Sequence, residues 1–115
     1  VCHQHILWRL AQRGVNPHIV RLISEMYNNI TTYIDAKSVR TDLIKILTGV
    51  KQGDPMSPML FNITLDPLLC KLEAEGKGFQ QDGSKITAMA FEDDLVLLSN
   101  SWAGMNVSIK ILETF

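Results

Sequence analysis

Long apolar runs are missing. Nowhere do the 115 residues approach the roughly 18 to 20 consecutive apolar positions that a membrane-spanning helix needs. The chain has no signal-peptide pattern at its start, so the sequence gives no membrane partner. Cysteine is scarce: Cys2 and Cys70 are the two present, and their spacing suggests no pairing. That reads as reduced thiols rather than a disulfide scaffold. Internal repeats, low-complexity segments and linkers are also absent, which excludes solenoids and flexible multidomain chains. Acidic residues are missing from the whole stretch before Glu25. The first residue is Val1, and both ends break off inside a pattern, so a piece of a longer protein is expected.

What is present is ordinary for a folded domain: 46% hydrophobic and 20% charged residues, with a net charge of −1. The charge is unevenly spread. Residues 1–52 carry seven Lys/Arg against three Asp/Glu, and residues 53–115 carry four against nine. Either short-chain chance produces this split, or one surface grips a polyanion while the other offers carboxylates.

Hydrophobic spacing predicts helices over 3–13, with Ile6, Leu7, Leu10 and Ala11 inward, and from Pro17 onward, with Asn16 as cap. Ile19, Leu22, Ile23, Met26 and Tyr27 form the inward stripe of the second helix. Residues 31–35 and 42–47 are β-rich and read as antiparallel strands joined by the basic connection "AKSVR". Ser57 is expected to cap a third helix opened by Pro58, with Pro67 inside it as a kink and Gly76 and Gly78 ending it. "FQQDG" is a short strand or loop. "KITAMAF" and "LVLLS" are strands, and a last helix follows, weakened by Gly104. The class is α+β, an antiparallel sheet covered by helices, because the strands connect as hairpins rather than through crossovers.

One stretch stands out. "KITAMAFEDDLVLLSN" sets Glu92, Asp93 and Asp94 inside an apolar run, although charges are rarely buried unless paired or metal-bound. A tight turn resolves this by placing Glu92 and Asp93 at a hairpin tip, with Asp94 opening the return strand. The tip is then either a solvated turn or a cation site, since neighbouring carboxylates repel and a divalent ion relieves them. A receiver-type acidic pocket fits less well, because an apolar strand follows the acids at once. A second stretch, "GVKQGDPMSPMLFN" at 49–62, combines Gly49 and Gly53 with Gln52, Lys51 and two prolines. The glycines allow close backbone approach to a ligand, Gln52 donates and accepts, and Lys51 can face phosphate.

Together these two stretches, with Asp54 and Asp93 39 positions apart, resemble the reverse transcriptase of non-LTR (LINE-like) retrotransposons. "HQHILWRLAQRGVNPHIVRLISEMYNN" resembles the family's segment after its first catalytic motif, so the likeness covers residues 1–115. It implies a partial palm subdomain that ends in the helix after the Phe-x-Asp-Asp hairpin. It further implies an RNA-directed DNA polymerase in the parent, which uses an RNA template, a DNA primer and dNTPs and sits inside a larger polyprotein. In the family's reaction the primer 3′ oxygen attacks the dNTP α-phosphate, two Mg²⁺ ions hold the oxygens and pyrophosphate leaves. By resemblance, Asp93 and Asp94 are catalytic metal ligands, with Asp93 the more direct. Phe91 supports the hairpin beside the primer end, Gln52 and Gly53 line the template and nascent pair, and Pro55, Ser57 and Pro58 fix the loop. An intracellular, nuclear parent is implied in the same way.

Two departures follow. The family's third carboxylate lies outside these residues, so the 115-residue piece alone is expected to be inactive. Where the family has a small or apolar residue before the acidic pair, this chain has Glu92, which adds charge near the primer backbone. An alternative is therefore a decayed, non-enzymatic nucleic-acid-binding relic of the same palm. A more distant one is an unrelated α+β interaction module. His3 and His5 are assigned no shared metal, since positions two apart on a helix face different ways. Trp8 and Trp102 are read as core residues and Asp54 as a turn device. Lys37, Arg40 and Lys45 are either template contacts or an exposed charged hairpin, and Tyr33 is read as sheet core.

Overall fold

The computed structural model describes all 115 residues, Val1–Phe115. They form two compact units, Val1–Thr64 and Leu65–Phe115, each built on its own apolar cluster.

The first unit begins with α1 (His3–Gln12) and α2 (Pro17–Tyr27). α1 ends in a Schellman motif. Gly14 takes φ +74°, its N–H donates to Ala11 O at 3.0 Å and Val15 N–H donates to Leu10 O at 3.1 Å. α2 starts as the sequence predicts, with Asn16 Oδ1 accepting from His18 N–H at 2.9 Å and Pro17 at the first helical position. Ile6, Leu10, Ile23, Tyr27 and Leu60 form the core. The inward stripe of α2 is narrower than expected. Val20, Met26 and Ile30 pack against this core, whereas Ile19 and Leu22 face solvent.

The β-rich stretch of this unit is a nested hairpin, not two long strands. β1 (Thr31–Thr32) pairs with β4 (Ile44–Lys45), and β2 (Asp35–Ala36) pairs with β3 (Val39–Arg40). The segment "AKSVR" is therefore the tip of the inner ladder rather than a connection, and Lys37 turns it with φ +41°. Strands of two residues offer no face for a helix to cover. Accordingly Tyr33, Ile34, Val39, Leu43 and Leu47 are all exposed, which corrects the reading of Tyr33 as sheet core.

α3 (Ser57–Glu75) runs through Pro67 without interruption and passes from the first unit into the second. Along it Leu60 and Thr64 are buried within the first unit, and Leu68 and Leu72 within the second. Thr64 is tolerated there because its hydroxyl donates to Phe61 O at 2.7 Å. The second unit adds β5 (Phe79–Gln81), β6 (Ser84–Ile86), β7 (Ala88–Phe91), β8 (Asp94–Leu97) and α4 (Trp102–Glu113). β5 and β6 form a hairpin whose Asp82 and Gly83 both have positive φ, +50° and +81°. That is the type I′ turn an Asp-Gly pair favours. The expected strand "KITAMAF" is split between two hairpins at buried Thr87. Leu68, Leu72 and Ile111 form the core, with Ala88, Leu95 and Leu97 packed against it.

Ser101 caps α4 through its hydroxyl, which accepts from Gly104 N–H at 3.1 Å. Gly104 weakens a helix by propensity, but space demands it: a Cβ there would lie 2.9 Å from Lys77 Cβ. The class is α+β, as the sequence predicts. The strands, however, make four separate two-stranded ladders rather than one covered sheet, because each short strand spends its pairing on its hairpin partner.

Trp8 and Trp102, read as core, are 52% and 75% exposed. Trp8 lies on the outer side of α1 with the Arg9 guanidinium 4.7 Å from its ring, and Trp102 sits in the first turn of α4. Both cysteines are free and exposed.

Two stability outcomes are expected. Leu72 is fully buried, so Leu72→Ala should lower the unfolding free energy by about 2–5 kcal/mol. Leu43→Ser, at an exposed position, should stay within about 0.5 kcal/mol of the parent; denaturant titration of both variants checks the pair. At the β7–β8 turn, Glu92 holds φ +51°, a region that costs a side-chain-bearing residue about 1–2 kcal/mol. Glu92→Gly should therefore slow amide exchange across the hairpin, whereas Glu92→Gln, which keeps the Cβ, should not.

Candidate active site

Gln52 and Gly53 occupy the two central positions of a β-turn. Asp54 N–H donates to Lys51 O at 3.2 Å, and Gly53 has φ +83° while Gln52 does not enter that region. This is the type II pattern, which requires glycine at the third position. Gly49 is likewise left-handed at φ +92°, and a Cβ at either glycine would meet no protein atom within 4 Å. Backbone sign, not crowding by the protein, is what demands glycine here. The turn leaves the Gln52 side chain exposed and Lys51 half-buried.

A second turn follows. Asp54 Oδ1 accepts from Met56 N–H at 2.8 Å, and Asp54 O accepts from Ser57 N–H at 3.1 Å. Asp54 is thus a turn device, as its sequence context suggests. Ser57 is not the expected helix cap. It is already the first helical residue, buried, and its hydroxyl donates back to Lys51 O at 2.5 Å.

The Lys51 backbone is held from its other side too. Lys51 N–H donates to the Tyr27 hydroxyl oxygen at 3.4 Å, and Lys51 Nζ lies 5.6 Å from the Tyr27 ring centroid. His3 Nε2 donates to Gly49 O at 3.0 Å, and its ring meets Tyr27 edge-on at 4.9 Å. Gly49 N–H donates to Val1 O at 2.7 Å, and Cys2 bridges to Thr48. The sequence carries no local sign of the roles of His3 and Tyr27. Their partners lie 46 and 24 positions away, beyond the reach of any helical or strand period.

The acids lie in the second unit, where the sequence places them. Phe91 pairs with Asp94 across β7 and β8, so Glu92 and Asp93 form a two-residue tip and Asp94 opens the return strand. Leu95 and Leu97 face the core with Ala88. By strand alternation Asp94 and Phe91 share the opposite, solvent face, and Phe91 is 75% exposed. Glu92, Asp93 and Asp94 are all exposed, so no burial cost opposes their charges. No group of three His, Cys, Asp or Glu is arranged to hold a metal ion. Asp93 and Asp94 offer two carboxylates, and their oxygen donors suit a hard divalent cation that completes its shell with water and phosphate.

Of the basic hairpin residues, Arg40 is engaged internally. It meets Asp35 at 3.2 Å and stacks 3.9 Å from the Tyr33 centroid. Lys37 and Lys45 are exposed.

The sequence of the whole chain, residues 1–115, matches the family described as reverse transcriptase (RNA-dependent DNA polymerase). A "Retrovirus-related Pol polyprotein from type-1 retrotransposable element R2" of Nasonia vitripennis is 35% identical over 111 residues, which is 96% of this chain and 11% of that protein. A protein of the same name from Popillia japonica is 42% identical over 101 residues, covering 87% of this chain and 17% of its own length. The "Retrovirus-related Pol polyprotein from type-2 retrotransposable element R2DM" of Drosophila melanogaster is 33% identical over 105 residues, covering 91% and 10%. The chain therefore spans between a tenth and a fifth of the length of these curated relatives. With its glycine-turned loop and its paired-aspartate hairpin, the chain belongs to the reverse transcriptase (RNA-dependent DNA polymerase) family.

Proposed function

We propose that this chain is part of the palm of an RNA-directed DNA polymerase encoded by a non-LTR retrotransposon, and that its parent extends a DNA primer on an RNA template by nucleotidyl transfer from dNTPs. The observation that carries this reading is the β7–β8 tip. Asp93 and Asp94 stand exposed on a two-residue turn in a chain whose entire length matches the family.

The family works with a divalent metal ion. In this reading the ion is Mg²⁺, in a pair, held by Asp93 and Asp94 with a third carboxylate from elsewhere in the parent polyprotein. When bound, such ions stabilise the charge that builds on the attacking and leaving oxygens. The chain's own residues position and neutralise. The hairpin pairing holds the carboxylates at a fixed tip, and Phe91 offers an exposed ring beside the primer end. Gln52 and Gly53 present an edge of the type II turn to the template and nascent pair, and Lys51 supplies positive charge behind them. The nuclear compartment, where chromosomal DNA is available as target, completes the proposal.

A second reading rests on Glu92. It adds a carboxylate at the tip and holds a left-handed backbone that favours glycine. A tip altered in this way suits a relic that binds nucleic acid without synthesis.

Primer extension by the intact parent, with Mg²⁺, an RNA template and dNTPs, separates the two. Metal stabilisation of transition-state charge is worth several kcal/mol and each 1.36 kcal/mol is tenfold in rate, so Asp93→Asn should reduce extension by at least about a hundredfold. Glu92→Ala should leave it within about threefold, the scale of a solvent-screened charge. A silent parent rescued by Glu92→Ala would establish the relic, and silence in all three would remove the polymerase reading.

A further inference from the structure

We infer that His3 and Tyr27 are positioning residues for the loop that carries Gln52 and Gly53, and so set the polymerase's affinity for the incoming nucleotide. This rests on the reading above, in which that loop lines the template and nascent pair.

The geometry is specific to the backbone of one residue. Lys51 has its N–H bonded to the Tyr27 hydroxyl oxygen at 3.4 Å and its carbonyl bonded to the Ser57 hydroxyl at 2.5 Å. Lys51 is also the first residue of the turn, and its carbonyl accepts the turn-closing bond from Asp54 N–H. Whatever fixes the Lys51 peptide units therefore fixes the direction in which Gln52 leaves the turn. Two residues upstream, Gly49 O accepts from His3 Nε2 at 3.0 Å. The segment entering the turn is thus held at two backbone points by side chains from α1 and α2.

Tyr27 suits this task because it is 6% exposed and part of the unit's core. Its ring is locked by apolar packing, so its hydroxyl oxygen is a stationary acceptor. His3 leans on that ring edge-to-face at 4.9 Å, which couples the two anchors. A loop with glycines at two positions has access to more backbone states than one with side chains there. Holding such a loop to the sub-ångström placement that a binding site needs calls for supporting side chains behind it. His3, Tyr27 and Ser57 are those supports. Neither His3 nor Tyr27 is required to touch substrate.

The test is single-nucleotide incorporation by the intact parent polymerase on an RNA template. Burst titration counts the active molecules, so that KM and kcat refer to correctly folded enzyme. Tyr27→Phe keeps the ring and its packing and removes only the hydroxyl. It should raise the KM for dNTP about fivefold, the worth of one neutral hydrogen bond, with kcat within about twofold. His3→Leu should do the same, whereas His3→Gln, which keeps an N–H donor at similar reach, should recover most of the loss.

Gln52→Ala separates this inference from the reading beneath it. If Gln52→Ala raises KM but Tyr27→Phe and His3→Leu merely lower the active fraction, the two residues are structural and the inference fails while the loop reading stands. If His3→Gln fails to recover what His3→Leu loses, the bond to Gly49 is not the cause and the inference fails in that part. If Gln52→Ala also leaves KM unchanged, the loop does not meet substrate and both readings fall.

Discussion

Both cores draw on one helix. α3 sends Leu60 and Ile63 into the first cluster, and Leu65, Leu68 and Leu72 into the second. The hairpins on their own have little to bury. Strands of two to four residues make a few ladder bonds, and an isolated two-stranded hairpin is at best marginal in water. What anchors the β7–β8 hairpin is the packing of half-buried Ala88, Leu95 and Leu97 against Leu68, Leu72 and Ile111 of α3 and α4, since apolar area removed from water is worth about 25 cal/mol per Å². The outer hairpin at residues 31–45 has no such support and is exposed throughout. Of these two hairpins, the one that carries Asp93 and Asp94 is the one that has a core beneath it.

That division explains what could be read from the sequence. Caps and stops were legible because their chemistry is local: Asn16 before Pro17, Gly76 after α3. The acidic tip was legible for the same reason. Continuous apolar runs flank it on both sides, so the three acids mark the turn between two strands. The nested hairpin was less so, since "AKSVR" reads as a linker until Asp35 and Arg40 are seen to pair across it. The Asp82-Gly83 turn did carry a readable signal, a dipeptide that favours two consecutive positive φ values. The tryptophans misled because a large ring is counted as core by habit, whereas Trp8 covers its own helix with an arginine above it.

The candidate site was half legible. Gln52, Gly53, Asp93 and Asp94 belong to segments whose residue types announce turns and charges. The support beneath the loop did not announce itself. His3 lies on a helix and Tyr27 at the end of another, and each fits a helical period with no reference to the loop. Their bonds to Gly49 and Lys51 are set by how the helices pack, and packing is not a property of any window of sequence. The same holds for Ser57. Its position before Pro58 marks a helix start correctly, yet its hydroxyl turns away from the helix end to the Lys51 carbonyl.

The two segments also differ in how they obtain left-handed backbone, and the difference bears on function. The loop uses Gly49 and Gly53, which adopt positive φ without steric cost but leave the unfolded chain freer. Rigidity must then come from outside, and three side-chain hydrogen bonds supply it. The acidic tip instead holds Glu92 at φ +51°, where a Cβ is strained. Strain of this kind persists only where surrounding structure over-determines it, and here the β7–β8 ladder, with half-buried Leu95 and Leu97 packed on the core, provides that surplus. A glycine at the tip would relieve that strain and leave the ladder tighter, whereas the glycines of the loop leave it dependent on its side-chain anchors.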